Sequence, residues 1–119
     1  IQQLLDAIQR LGVASMADCS NFQEGLNAHE MGFDLVGSTL SGYTADTARP
    51  SDAEPDWQLV TALSQRGCKV VAEGRLRTPE HACQAIESGA YCVTVGSAIT
   101  RIEHVTDWFV GAIKRARKA

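Results

Sequence analysis

The chain contains 119 residues, a length that suits one compact domain, so we expect a single domain over residues 1–119. Hydrophobic residues make up 45% of the sequence and charged residues 21%, and the net charge of −3 lacks the basic excess of nucleic-acid-binding proteins. No segment approaches the run of about 20 apolar residues that crosses a bilayer, so we expect neither a nucleic acid nor a membrane among its partners.

The first ten residues have the pattern of a helix, and four short β-like segments then follow, each directly after a glycine. These segments are residues 13–18, 33–38, 68–73 and 90–95, which follow Gly12, Gly32, Gly67 and Gly89. Glycine tolerates the left-handed conformation with which many helices end, so each glycine marks the boundary between a helix and the next strand. Because the segments are mostly apolar and do not alternate cleanly, we interpret them as strands of a parallel sheet buried on both faces.

Helical segments separate the predicted strands. They are residues 20–31, 56–66 and 78–88, and a last helix from residue 100. Residues 20–23 and 100–103 each match a capping box, whose first residue, Ser20 or Thr100, is the predicted N-cap. A Thr-Pro pair at 78–79 marks another helix start. One helix followed by four strand–helix pairs predicts an α/β fold with right-handed crossovers and parallel strands.

Glycines after the last two predicted strands help to distinguish between two possible architectures. Four strand–helix pairs can form a small open doubly wound domain or one half of a (β/α)₈ barrel. Gly74 and Gly96 each lie seven residues after the glycine that precedes their strand, so two consecutive strands end in glycine-containing turns. Glycine lets backbone N–H groups approach a phosphate, and the loops after the last two strands form the usual phosphate site of a barrel. We therefore favour the C-terminal four βα units of a barrel, preceded by a helix.

One connection is unusually long and covers residues 39–55, after the second predicted strand. A loop of this length within a compact domain is usually functional or mobile. Tyr43 lies in this loop and is a candidate substrate-binding residue, although an exposed loop tyrosine would give the same pattern.

Two carboxylates occupy matching positions at predicted strand ends. Asp18 and Glu73 each stand six residues after a strand-preceding glycine. Carboxylates at the C-terminal ends of barrel strands point toward the mouth and are candidate acids or bases, while a helix-capping or ion-paired role is the alternative. Arg101 follows the last strand and either binds an anionic substrate or is solvated. The helix dipole disfavours arginine at a helix start, which favours the first role.

Neither the cysteines nor the histidines indicate a metal site. The four cysteines include no C-x-x-C pair, and the three histidines are far apart in helical segments. Free cysteines of this kind fit a reducing compartment, so we expect a cytoplasmic protein.

Four motifs at the predicted strand ends carry a family resemblance. They are Met16–Ser20, Gly37–Thr44, Val71–Arg75 and Val93–Arg101. Together they resemble N-acetylmannosamine-6-phosphate 2-epimerases, over essentially the whole chain. The resemblance implies strands five to eight of the family's barrel and the interconversion of N-acetylmannosamine 6-phosphate and N-acetylglucosamine 6-phosphate in amino-sugar and sialic acid breakdown. This reaction removes and returns a proton at C2, and the resemblance implies no cofactor and no metal.

The resemblance also assigns roles to individual residues. Glu73 matches the family's catalytic glutamate, and Asp18 is the second carboxylate expected in catalysis. Arg101 and Tyr43 are expected to bind the sugar. The phosphate is expected at the turns after the last two strands, with Gly74, Arg75, Gly96 and Ser97 as its ligands.

The same resemblance places the family's catalytic lysine on a strand before Ile1. We therefore expect the chain alone to be a poor or inactive epimerase that associates with an N-terminal half-barrel or with a second copy. Two other functions stay open. One is another phosphosugar isomerase or synthase that uses the same phosphate loops, and the other is a non-catalytic or self-associating half-barrel that binds a sugar phosphate.

Overall fold

The computed structural model describes residues 1–50 and 53–117, so positions 51 and 52 of the long connection lie outside the described part. The α-helices are α1 (Gln2–Arg10), α2 (Phe22–Met31), α3 (Trp57–Gln65), α4 (Pro79–Glu87), α5 (Ser97–Thr100) and α6 (Ile102–Ala116). The strands are β1 (Met16–Asp18), β2 (Leu35–Gly37), β3 (Val70–Glu73) and β4 (Cys92–Thr94), and the long connection contains a 3₁₀ turn at Ala45–Thr47. The predicted alternation of helices and strands is confirmed, with strands shorter than predicted.

The four strands form one parallel sheet in the order in which they occur in the chain. Asp18 pairs with Gly37 in register, and Glu73 pairs with Thr94. A doubly wound sheet reverses its strand order at a switch point, whereas a barrel adds each strand beside the previous one. The observed order is therefore the barrel order.

The core lies between one face of the sheet and helices α2, α3 and α4. The strand side chains in this core alternate along the sequence, as Val36 on β2 and Val70 and Ala72 on β3 show. Because side chains alternate across a strand, the opposite face carries Asp18 and Glu73. On the edge strands this second face is uncovered, and 42% of Met16 is exposed. The face that bears the candidate carboxylates is thus the face that a closed barrel would enclose.

Helix α2 packs closely against helix α3 because residue 25 has no side chain. Leu63 of α3 is fully buried, and its two δ carbons lie 2.8 Å from the place where a β carbon on Gly25 would stand. Leu63 therefore packs directly on the backbone of α2, in the middle of the core. This contact fixes the position of two helices over strands β2 and β3.

Two of the predicted helix caps are wrong by one residue. The N-cap of α2 is Asn21 and not Ser20. The Asn21 side chain accepts a hydrogen bond from the Glu24 N–H. Glu24 in turn accepts hydrogen bonds from the backbone N–H and the hydroxyl of Ser20, and these bonds lower the pKa of Glu24. The predicted box is therefore replaced by a related arrangement, in which Asn21 supplies the cap and Glu24, instead of Gln23, reaches back to Ser20.

The predicted cap of the last helix, Thr100, is also wrong. Thr100 ends the short helix α5, where its hydroxyl donates to the Gly96 carbonyl, and Arg101 occupies the N-cap of α6. The cap at Thr78 is confirmed, since its hydroxyl accepts from the His81 N–H and Pro79 follows as the first helical residue. The four glycines before the strands all have positive φ, between +67° and +99°, as the helix-ending interpretation requires.

Helix α6 makes little contact with the sheet. Its apolar side chains Phe109 and Ile113 are 68% and 53% exposed. The radius of gyration is 16.3 Å, larger than the roughly 13–14 Å typical of a compact domain of this length. No helix among the described residues has the length and hydropathy needed to cross a membrane.

Candidate functional site

A cleft of about 1070 Å³ opens at the C-terminal ends of β3 and β4. Six of the residues predicted for the site line it, namely Tyr43, Glu73, Gly74, Arg75, Gly96 and Ser97. The turns after two adjacent parallel strands meet at the same end of the sheet, which explains why residues more than 20 positions apart converge. The cleft thus lies where a barrel carries its chemistry.

The two candidate carboxylates meet at one hydroxyl. Asp18 ends β1 and Glu73 ends β3, with β2 between them. Thr39, two residues after β2, places its Oγ1 2.9 Å from Oδ1 of Asp18 and 3.3 Å from Oε2 of Glu73. The structure therefore brings Asp18 and Glu73 together through a residue that the sequence analysis did not single out.

Ser38 fixes the backbone at the end of β3. Its hydroxyl accepts a hydrogen bond from the Glu73 N–H at 3.1 Å and donates to the Glu73 carbonyl at 3.0 Å. Ser38 is buried, so these bonds are made away from bulk water. The adjacent residues Ser38 and Thr39 thus hold the backbone and the side chain of Glu73, respectively.

Arg75 ties the long connection to the wall of the cleft. Its guanidinium donates to the carbonyls of Ser41 and Gly42, at 2.8 and 3.1 Å, and lies 4.2 Å from the ring centroid of Tyr43. Its Nε is buried and has no hydrogen-bond partner among the described residues. Arg75 therefore holds the loop that carries Tyr43 over the cleft, and Tyr43 itself is 61% exposed.

Two predicted site residues do not line the cleft. Asp18 reaches it only through Thr39. Arg101 forms an exposed ion pair with Glu103 at the start of α6. Lys69 precedes β3 at the end opposite Glu73, and its Nζ lies 5.6 Å from the ring centroid of Tyr91.

The cleft also contains residues that the sequence analysis missed. Arg77 follows β3, and its guanidinium lies 5.7 Å from the ring centroid of Trp108 on α6. The other residues that α6 contributes to the lining are His104, Asp107, Gly111 and Arg115. The three arginines of the lining outnumber its two carboxylates, a balance that suits an anionic ligand. Only the folded chain could reveal this, because α6 lies far from β3 in sequence.

The thiol nearest the carboxylates is not activated for chemistry. Cys19 is buried directly after Asp18, and burial raises the pKa of its thiol to about 11, with further contributions from the negative charges of Glu24 and Asp18. A neutral thiol is a poor nucleophile. No group of three or more potential metal ligands occurs among residues 1–50 and 53–117.

Comparisons with known proteins identify relatives of the whole chain. The family model described as "Putative N-acetylmannosamine-6-phosphate epimerase" matches residues 1–115. A Photobacterium profundum protein with the name "Putative N-acetylmannosamine-6-phosphate 2-epimerase" is 52% identical over 119 residues, which are 100% of this chain and 49% of the relative. A Glaesserella parasuis protein with the same name is 59% identical over 106 residues, 89% of this chain and 45% of the relative.

A solved structure agrees with these relatives. The N-acetylmannosamine-6-phosphate 2-epimerase from Clostridium perfringens superposes with a TM-score of 0.88 at 39% identity, over 93% of this chain and 48% of that one. The chain thus spans about half the length of the relatives that it matches. With the sequential strand order, this similarity confirms the predicted C-terminal half of a (β/α)₈ barrel.

Proposed function

Because the chain belongs to the N-acetylmannosamine-6-phosphate epimerase family, we propose that it forms the C-terminal half of an enzyme that interconverts N-acetylmannosamine 6-phosphate and N-acetylglucosamine 6-phosphate. The observation that carries this proposal is the convergence of Glu73 with the glycine turns at Gly74 and Gly96 on one cleft. A sugar phosphate needs an anion site and a base at a fixed separation, and this cleft offers both.

The phosphate end of the substrate is assigned to the turns after β3 and β4. Gly74 has φ of +98°, so a side chain there would be strained, and Gly96 has nothing within 4 Å of a β carbon position. We assign the backbone N–H groups of these two glycines, with that of Ser97, to the phosphate, because neither glycine places a side chain of its own in the turn. Arg75 adds positive charge at the same wall, while its guanidinium holds the Tyr43 loop.

The chemistry is assigned to Glu73. Inversion at C2 requires that the sugar ring open to the C1 aldehyde, that the C2–H bond break, that its proton pass to a base and that its electron pair spread into the C1 carbonyl. Glu73 lines the cleft beside the glycine turns, so its carboxylate can take this proton. Asp18, through Thr39, orients Glu73, and Arg101 is assigned to the sugar once its side chain turns from Glu103.

Inversion also requires that a proton return from the opposite side of C2. The family resemblance places a lysine for this chemistry on the N-terminal half of the barrel, and Lys69 lies at the wrong end of its strand. The face that bears Asp18 and Glu73 is uncovered on the edge strands β1 and β4, where four further βα units would close a barrel. We therefore include an N-terminal half-barrel as the partner of this chain. The exposed apolar side chains of α6 also offer a surface on which a second copy of the chain can pack.

This function is tested with a completed barrel. The completed barrel is the Photobacterium profundum relative with its matching half replaced by the present chain. The two halves are 52% identical over the 119 residues of this chain. Incubated with N-acetylmannosamine 6-phosphate, the completed barrel is expected to form N-acetylglucosamine 6-phosphate, measured by NMR. The unmodified relative is the control. A completed barrel that is folded and binds the sugar phosphate but forms no product, beside an active control, would contradict the proposal and favour a non-catalytic binding half.

Conversion of a different phosphosugar in preference to this pair would instead favour another isomerase of the same fold. A panel of ketose and aldose phosphates, tested under the same conditions, distinguishes this outcome. The expected result is product formation from the N-acetylated substrates alone.

A further inference from the structure

The hydroxyl of Thr39 stands between two carboxylates but carries a single proton. Its oxygen lies within hydrogen-bond distance of both Oδ1 of Asp18, at 2.9 Å, and Oε2 of Glu73, at 3.3 Å. A hydroxyl donates one hydrogen bond at a time. When both carboxylates are charged, only one of them can therefore receive the proton of Thr39.

The surrounding backbone is built to keep this hydroxyl in place. Residue 37 lies beside Asp18 in the sheet, and a β carbon on it would stand 2.9 Å from Oγ1 of Thr39 and 3.0 Å from Oδ1 of Asp18. Any side chain at Gly37 would therefore displace one of the two groups. On the other side, Ser38 holds the Glu73 backbone through two hydrogen bonds. The three-residue segment Gly37–Thr39 thus makes space for the contact, fixes the strand end and supplies the hydroxyl.

We propose that Thr39 is a positioning residue for proton transfer at C2, and this inference rests on the proposed function. The hydroxyl stands between the side chains of Glu73 and Asp18 and donates to one of them at a time. When Glu73 accepts the C2 proton it becomes neutral, and the hydroxyl proton of Thr39 then turns to Asp18, which keeps its charge. When the proton leaves Glu73, the hydroxyl can again donate to it. No proton is gained or lost by Thr39, because only the direction of its O–H bond changes.

A positioning role predicts an effect on turnover and little effect on binding. In the completed barrel, Thr39→Val removes the hydroxyl and keeps the branched shape, and we expect kcat to fall about 10- to 100-fold, since small misplacements of a catalytic group have effects of this size. KM should change less than about threefold, because the substitution leaves the turns assigned to the phosphate unaltered. Thr39→Ser restores the hydroxyl and should keep kcat within about fivefold of the unmodified value.

The controls separate this inference from the function itself. Thr106→Val removes an exposed hydroxyl that donates to the Ile102 carbonyl on α6, outside the lining of the cleft, and it should leave kcat unchanged. If Thr39→Val keeps full activity, or if Thr39→Ser loses as much as Thr39→Val while both melt at the temperature of the unmodified protein, the positioning role is wrong. If the unmodified completed barrel forms no product beside an active relative, the proposed function fails first, and the two failures are therefore distinguishable.

Discussion

Replacing Glu73 with glutamine is expected to lower kcat of the completed barrel by about 10²- to 10⁴-fold, the usual contribution of a general base. The substitution keeps the size of the side chain and its capacity to bond Thr39, whose hydroxyl lies 3.3 Å from Oε2. It removes the group that can take a proton from C2. Because the phosphate turns at Gly74 and Gly96 are untouched, KM should change little.

The matched control for this substitution is Glu87→Gln. Glu87 is an exposed glutamate at the C-terminal end of α4, outside the lining of the cleft, so the change of charge is the same while the site is unaltered. Rates are measured from NMR signals of product over time. Retention of more than a third of the unmodified rate by Glu73→Gln would show that another group removes the proton.

Replacing Leu63 with alanine is expected to lower the free energy of unfolding by about 2–5 kcal/mol. Leu63 is fully buried, and its δ carbons pack against the α2 backbone at Gly25, in the middle of the core. The substitution therefore leaves a cavity between α2 and α3, and most of the lost contact energy is not recovered.

Urea denaturation of the chain, followed by circular dichroism, measures this effect. The control is Ile86→Ala on α4, where the side chain is 51% exposed and a loss below about 1 kcal/mol is expected. Equal losses for the two variants would mean that the interface between α2 and α3 is not the centre of the core.

The sequence predicted the order of elements because local chemistry specifies it. Glycines 12, 32, 67 and 89 do take up the positive φ values that end a helix, and the strands follow each of them. The Thr78–Pro79 helix start was equally local and is confirmed. The caps at Ser20 and Thr100 were wrong because each hydroxyl bonds to a group four residues away, Glu24 or the Gly96 carbonyl, and the neighbouring residue takes the cap position.

The site was predictable only in part. The glycine turns and Glu73 could be placed at one cleft from strand periodicity, since the ends of parallel strands meet. The contacts of Thr39 with both carboxylates could not be predicted from the sequence. They depend on the register of β1, β2 and β3 and on the space left at Gly37. The clamp from Arg75 to the Ser41 and Gly42 carbonyls likewise joins residues more than 30 positions apart.

In the proposed enzyme, this half of the barrel supplies the base and the phosphate turns, while the other half completes the chemistry. This division of roles is tested by the incorporation of deuterium at C2 of N-acetylmannosamine 6-phosphate in D₂O, measured by NMR for the chain alone and for the completed barrel. We predict incorporation with the completed barrel and none with the chain alone. Incorporation by the chain alone at a comparable rate would contradict this division of roles, because residues 1–119 would then contain every group that the proton transfer needs.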